Sequence, residues 1–176
     1  PSSTSSAVSV TATAGAITDI TTAETANISS SGTATLAAAT GIGVTGAGDI
    51  DTTLGTLVAS NASSGDIVVQ ESNGLIIGGA GVRTLAGNGN IDVRTTAGGL
   101  DVSSVVTAHG SGDVTLNAAG LLTTDAVVSS STGDLSLSGG TGVTHTANGD
   151  LSTSGVGSIG VTATANDITM ANGTIY

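Results

Sequence analysis

Apolar and polar residues alternate along most of this chain, in short runs of about five residues. In "DVTLNA", Val114 and Leu116 fall on one side and Thr115 on the other, and "DLSLSG" repeats the arrangement. A period of two with many β-branched residues predicts strands that are buried on one face. We therefore expect Leu116 and Leu137 to be buried, with Thr115 and Ser136 exposed between them.

A tripeptide precedes these runs and marks an internal repeat. It consists of a small or polar residue, then Asp or Asn, then Ile, Val or Leu, and it starts at Gly48, Gly65, Gly89, Gly112, Gly133, Gly149 and Asn166. The pattern predicts one apolar column made of Ile67, Ile91, Val114, Leu135 and Ile168. A second column, two residues further on, comprises Val69, Val93, Leu116, Leu137 and Met170. Between the two columns, Val68 alone breaks the alternation.

The longer repeats contain two further short strands. In "GLIIG", "GLDVS" and "GLLTT", the residues Leu75, Leu100 and Leu121 are predicted to form another column. Three strands per repeat, separated by corners and stacked in columns, indicate an all-β fold, a parallel β-solenoid. We expect about eight coils of roughly 16–24 residues, right-handed by the crossover rule for parallel strands. Residues 1–176 would form a single domain, in which residues 1–7 could be a flexible or linking segment.

The composition favours this fold over the main all-β alternative. A pair of immunoglobulin-like sandwiches usually has aromatic core residues and turns that contain proline. This chain has no Phe or Trp, and its one Tyr and one Pro are the terminal residues. A narrow solenoid core needs only the Val, Ile, Leu and Ala that the chain supplies.

The charge is strongly one-sided and excludes several functions. Thirteen acidic residues against two basic ones give a net charge of −11. Nucleic-acid binding needs clustered Lys and Arg, so we expect no nucleic-acid partner. Attachment to anionic lipid is disfavoured for the same reason. The chain has no Cys, and no apolar run approaches the length of a membrane span, so we expect no disulfide and no membrane insertion.

Acidic residues at the corners raise the question of calcium. Calcium nonapeptide repeats are excluded, because Arg83 and Thr144 stand where those repeats need Asp. Looser Ca²⁺ binding needs several carboxylates at one place. The candidate ligands are Asp49, Asp66, Asp113, Asp134 and Asp150. A Gly-Asp pair more often caps backbone amides in a turn, and we favour that role, with no cofactor assigned.

Other motifs carry little chemistry. "GIGVTG" contains G-x-G-x-x-G at Gly41, Gly43 and Gly46, but no helical pattern follows, so we predict a corner and not a dinucleotide loop. His109 and His145 have no accompanying nucleophile motif, and by parity His145 lies on the face of Val143. A β-helix polysaccharide enzyme needs paired acids, cations and aromatic platforms. We therefore expect no catalytic residue and no enzyme activity.

A binding module is the second functional class. Ice-binding solenoids present Thr-x-Thr pairs in a flat array, and the chain has such pairs at Thr11/Thr13, Thr33/Thr35, Thr144/Thr146 and Thr162/Thr164. Their spacing is irregular, which favours ordinary outward-facing threonines on strands. Calcium or glycan binding would belong to the same class.

The repeated runs have a known counterpart. "SGDIVVQESNGLIIGGAGV" and "VTATANDITMANGTIY" resemble the β-strand-repeat regions of very large bacterial surface proteins, the filamentous-haemagglutinin-like adhesins and autotransporter passengers. The resemblance implies a secreted or cell-surface, non-enzymatic filament segment used in adhesion, a matrix or a surface layer. A separate observation predicts head-to-tail self-association into a fibre: "SSAVSVTATAGAITDI" and "NDITMANGTIY" are both strand-like, and no cap is visible in either. A host surface, a neighbouring cell or a glycan is the expected target. The resemblance carries over no functional residue.

Overall fold

The computed structural model describes residues 2–3, 6–21 and 23–176, and these contain no helix. Seventeen strands form one continuous sheet. The strands are β1 Ser2–Ser3, β2 Val8–Ala12, β3 Ile28–Ala38, β4 Ile50–Asn61, β5 Ile67–Glu71, β6 Leu75–Thr84, β7 Ile91–Thr95, β8 Leu100–Val102, β9 Val106–Ala108, β10 Val114–Ala118, β11 Leu121–Thr124, β12 Val128–Ser130, β13 Leu135–Gly139, β14 Gly142–His145, β15 Leu151–Ser152, β16 Ile159–Ala163 and β17 Ile168–Met170.

The sheet winds into a parallel β-solenoid of about seven turns, which confirms the predicted fold class. Each coil has three faces. The first face contains β5, β7, β10, β13 and β16, the second β8, β11, β14 and β17, and the third β9, β12 and β15. β4 runs around all three faces, because it pairs with β5 through Ile50–Thr52 and with β6 through Thr56–Asn61.

The core consists of aliphatic columns that stack from coil to coil. On the first face, Val114 pairs with Ile91 and with Leu135. Leu116 and Leu137 are buried and Ser136 is exposed, as predicted, whereas Thr115 is half-buried and not exposed as expected. The narrow interior needs no aromatic ring, because each layer is filled by facing Leu, Ile and Val side chains.

Two predicted column members are wrong. Ile168 pairs with Val143 on the second face, and Ile159 takes the expected place beside Leu135. The tripeptide occurs at more than one kind of corner, so its start at Asn166 does not mark a new first-face strand. Met170 likewise belongs to the second face, opposite His145.

The third predicted column is confirmed for Leu75 and Leu100, which pair with each other, but is wrong by one residue at Leu121. Leu100 pairs with Leu122, which is fully buried, whereas Leu121 is 43% exposed. The cause is the preceding corner, in which Gly99 lies against Leu121. The sequence "GGL" that ends at Leu100 therefore aligns with "GLL" that ends at Leu122, and the first Leu after a Gly is not equivalent in the two coils. A shift of one residue moves a side chain to the opposite face of a strand.

The N-terminal segment belongs in part to the sheet. Ser2 and Ser3 form strand β1 and pair with Ser29 and Ser30. Residues 1, 4 and 5 of the predicted linking segment 1–7 lie outside the described residues.

A column of glycines lies at the corner before the first face. A Cβ on Gly89 would collide with the carbonyl oxygen of Gly65, and one on Gly112 with that of Gly89. The same holds for Gly133 over Gly112 and for Gly157 over Gly133. The recurring Gly of the tripeptide is therefore required because backbones of successive coils approach closely here.

Candidate functional site

Three of the five candidate aspartates lie in a column that caps backbone amides. Asp66 Oδ1 accepts the Asn90 N–H at 2.7 Å, and Asn90 Oδ1 accepts the Asp113 N–H at 2.8 Å. Asp113 Oδ1 then accepts the Asp134 N–H at 2.8 Å, and Asp134 Oδ1 the Ser158 N–H at 2.7 Å. Each bond joins residues 21 to 24 apart in sequence. We call this column the Asx ladder.

The Asx ladder uses its side chains in the way a helix N-cap does, because each oxygen satisfies an amide that the sheet leaves unpaired. The Ser158 N–H and hydroxyl groups lower the pKa of Asp134 below its ordinary value. Asp150 plays the same part at a different corner, where its Oδ1 accepts the Ile175 N–H at 2.9 Å. These four aspartates serve turns and do not converge on one point.

The fifth candidate, Asp49, lies in an excursion from the coil. Ile42 bridges to Ile67 and Ile50 pairs with Val69, so residues 43–49 all lie opposite the single residue Val68. We call residues 43–49 the excursion. Its position accounts for Val68, the apolar residue that breaks the alternation and is only 1% exposed.

The excursion contains the second and third glycines of the G-x-G-x-x-G sequence and turns back on itself. Gly43 and Gly46 have φ angles of 65° and 81°, and the Val44 N–H donates to the Gly48 carbonyl at 2.8 Å. Strand β4 follows at Ile50, where a dinucleotide-binding loop would lead into a helix. No helix follows, in agreement with the sequence, but the predicted corner is wrong, because the turn interrupts the first face opposite Val68 and does not lie between two faces.

The excursion returns Asp49 to the coil beside two other acids. One carboxylate oxygen from each of Glu24, Asp49 and Asp51 lies within 4.8 Å of the others. The Gln70 side-chain amide donates to Asp51 Oδ1 at 3.1 Å and to Glu24 Oε2 at 3.2 Å. We call Glu24, Asp49 and Asp51 the acidic cluster. Sequence patterns did not indicate Glu24, Asp51 or Gln70, because only the folding of two irregular segments brings them together.

Asp49 is the least satisfied member of the acidic cluster. It is 2% exposed, and its Oδ1 has no hydrogen-bond partner among the described residues. Burial raises the pKa of Asp49, the charge of Asp51 raises it further, and the charge of Arg94 opposes both. The Arg94 guanidinium itself binds the Asp92 carboxylate at 2.6 Å.

A fourth acid, Glu71, lies fully inside the coil. Its Oε2 accepts hydrogen bonds from the Thr52 hydroxyl at 2.8 Å and the Leu54 N–H at 2.9 Å. Its Oε1 accepts the Asn73 N–H at 3.1 Å. The side chain closes the corner from within, and its three donors leave no vacant position for a reactant. The alternation marks position 71 as inward-facing, but it does not predict that a carboxylate could be satisfied there.

The two histidines lie apart in the fold. His145 is fully buried beside Val143, as parity predicts, with Nδ1 2.5 Å from the Thr124 hydroxyl. Tyr176 meets its ring edge-on at 5.5 Å between centroids, and burial lowers the pKa of His145. His109 is exposed, with Nδ1 2.8 Å from the Gly87 carbonyl oxygen. Neither imidazole hydrogen-bonds a carboxylate within the described ranges, so no acid–base arrangement forms around them.

The four Thr-x-Thr pairs do not all share a face. Thr33 and Thr144 lie in one column of the second face, but Ile76 and Asp101 interrupt that column. Thr162 pairs with Ser138 on the first face, and Thr144 pairs with Thr123 and Thr169 on the second. Thr11 pairs with Ala37, whose column belongs to the third. The pairs therefore form no common flat array of the kind that an ice-binding surface presents.

Both ends of the described rod expose inward-facing side chains. On β16, Ile159 and Val161 are half-buried, although their counterparts in the preceding coils are fully buried. Met170 continues the column of His145 yet is 55% exposed. At the other end, Val10 on β2 is half-buried. The terminal strands thus leave one backbone edge and part of the core uncovered.

No family, curated protein or solved structure matches this chain. Within residues 2–3, 6–21 and 23–176, no helix is long and apolar enough to cross a membrane.

Proposed function

We propose that this chain is a non-enzymatic structural segment of a bacterial cell-surface or extracellular filament, extended end to end by strand pairing. Adhesion, a matrix or a surface layer is the setting we infer for such a filament. The observation that carries the proposal is the pair of open rod ends. Each end offers unpaired main-chain groups beside half-buried aliphatic columns, which is the surface that another coil would cover.

The two ends differ, which favours an open assembly. β2 presents one end and β16 with β17 the other, so a junction between copies would join unlike surfaces. Contacts between unlike surfaces extend into filaments unless a rotation closes them. A net charge of −11 per copy disfavours side-by-side packing at low salt, so growth along the axis is the favoured direction.

The other functional classes have less support. The Asx ladder accounts for most corner aspartates, and the histidines lack acid–base partners among the described residues. An ice-binding surface would need aligned threonines, whereas the four Thr-x-Thr pairs do not all share a face.

The test compares two substitutions on β16 by light scattering after gel filtration and by electron microscopy. Val161→Lys places a charge on the inward column of the open end, whereas Thr162→Lys adds the same charge on the outward side. We expect the unchanged chain and Thr162→Lys to form end-to-end assemblies, and Val161→Lys to remain monomeric with an unchanged circular dichroism spectrum. An unchanged chain that stays monomeric at high concentration would refute the proposal.

A further inference from the structure

The acidic cluster joins groups from three successive coils. Glu24 lies in the segment before β3, Asp51 is the second residue of β4 after the excursion that holds Asp49, and Gln70 lies on β5 in the next coil. The three carboxylate oxygens lie within 4.8 Å of one another, and the Gln70 amide bridges two of them. Such close approach of three anionic groups is unfavourable unless positive charge compensates it.

The chain supplies little positive charge at this point. It has two basic residues, and Arg83 lies on the third face, where it pairs with Ser60 and Thr107. Arg94 is near enough to affect Asp49, but its guanidinium is bound to Asp92. The acidic cluster therefore has more negative charge than the neighbouring side chains neutralise.

Asp49 gives an independent indication of a ligand. Its side chain is almost completely buried, and Oδ1 has no hydrogen-bond partner among the described residues. A buried carboxylate oxygen without a donor is costly, and native structures seldom retain one without a reason. A cation between Asp49 and its two acidic neighbours would satisfy this oxygen and neutralise the cluster together.

We propose that Glu24, Asp49 and Asp51 bind a calcium ion. All the ligands are hard carboxylate oxygens, with no His or Cys among them, which disfavours zinc and copper. Ca²⁺–oxygen distances of about 2.3–2.6 Å allow two ligands to lie up to about 4.6–5.2 Å apart, so oxygens within 4.8 Å of one another can share the ion. Mg²⁺ requires near-ideal octahedral geometry and loses its water reluctantly, so an irregular set of carboxylates favours Ca²⁺.

Gln70 can contribute to the site both without a bound ion and with one. Without an ion, its NH₂ group bridges Asp51 and Glu24 and reduces their repulsion. Rotation of the amide by a half turn directs Oε1 towards the cluster, where it becomes a neutral oxygen ligand for calcium. Water would complete the coordination, since Glu24 is exposed.

The bound ion would tie the irregular segment before β3 and the excursion to the regular coil at β5. Because one ligand is exposed and two come from irregular segments, we expect a dissociation constant of about 10⁻⁴–10⁻³ M, the range of extracellular calcium modules. The site would therefore be filled at extracellular calcium levels and stiffen this part of the rod.

The test measures melting temperature and calcium titration calorimetry on the full chain after treatment with chelator. At 10 mM CaCl₂ we expect one bound ion and a melting temperature about 3–10 °C higher than in chelator. Asp49→Asn should weaken calcium binding at least tenfold and abolish most of this rise. In chelator the same variant should melt above the unchanged chain, because it removes an unpaired buried charge.

The matched control is Asp66→Asn, which removes an equal charge from the Asx ladder but keeps the Oδ1 acceptor, as Asn90 does in the next coil. We expect it to bind calcium and to respond as the unchanged chain does. The proposal is overturned if calcium leaves the unchanged chain's melting temperature unaffected, or if Asp49→Asn and Asp66→Asn respond equally. An equal response of the unchanged chain to MgCl₂ would also overturn it, because general charge screening would then explain the effect.

Discussion

Removal of the Glu71 carboxylate tests whether a buried charge holds a corner of the coil together. In Glu71→Ala, the Leu54 N–H would lose its acceptor inside the core, whereas the Thr52 hydroxyl could still donate to the Gln70 carbonyl oxygen, 3.2 Å away. Each buried donor left without a partner costs about 1–3 kcal/mol. The Asn73 N–H lies at an exposed position and can turn to water. The remaining Thr52 hydrogen bond is longer, and relief of the desolvation cost of the carboxylate offsets part of the loss, so we expect a net cost of about 1–3 kcal/mol.

Glu71→Gln provides the graded comparison. Its amide oxygen can still accept from Thr52 and Leu54, while its NH₂ group faces the Asn73 N–H, which water can satisfy. We expect a cost of about 1 kcal/mol. Urea unfolding measures the change in the free energy of unfolding of the whole chain. It is carried out in chelator so that calcium binding at the acidic cluster does not contribute. Hydrogen exchange of the Leu54 amide measures the local effect, because solenoids can unfold in parts. A cost below about 0.5 kcal/mol for Glu71→Ala, or a larger cost for Gln than for Ala, would refute this reasoning.

Three further substitutions test other parts of the coil. Leu116→Asp buries an unpaired charge and should unfold the neighbouring coils, seen as lost β-sheet circular dichroism, whereas Thr115→Asp on the outward side should be tolerated. Asp113→Ala removes the acceptor of the Asp134 N–H and should cost about 1 kcal/mol in urea unfolding, whereas a similar cost for Asp113→Asn would contradict the Asx ladder. Because burial lowers the pKa of His145, the unfolded chain takes up this proton more readily than the folded chain as pH falls below about 6.5. Stability should therefore fall as pH drops through that value, and the fall should be smaller in His145→Leu.

The periodic parts of the fold could be read from the sequence, and the irregular parts could not. Alternation identified the inward positions of β10 and β13, because a side chain changes face at every residue. The corners set the register between coils, and the errors arose there. The recurring tripeptide led to the wrong face for Ile168, and a difference of one residue in corner length led to the wrong column position for Leu121. Such errors arise because a corner can hold one residue more or less without any change in the strand pattern that follows.

The residues of the candidate site also divide into those that the repeat predicts and those that it does not. The turn role of Asp66, Asp113 and Asp134 follows from their position after a repeated Gly, which places them at equivalent corners. The partners of Asp49 follow from no period. Glu24 and Asp49 meet because two irregular segments fold against the same part of the first face, and that contact depends on the three-dimensional path of both.

The winding of the chain also determines how the rod would respond to pulling. Hydrogen bonds between coils run roughly along the rod axis, and the described chain enters at one end and leaves at the other. Tension applied through its termini would therefore open the ladders at an end, coil after coil, and not shear them all at once. Each coil of 21 to 24 residues, once peeled away, lengthens the chain by about 70–85 Å. A filament built from such coils would yield in steps under load, and the undisturbed coils would remain as the template on which the released ones rewind.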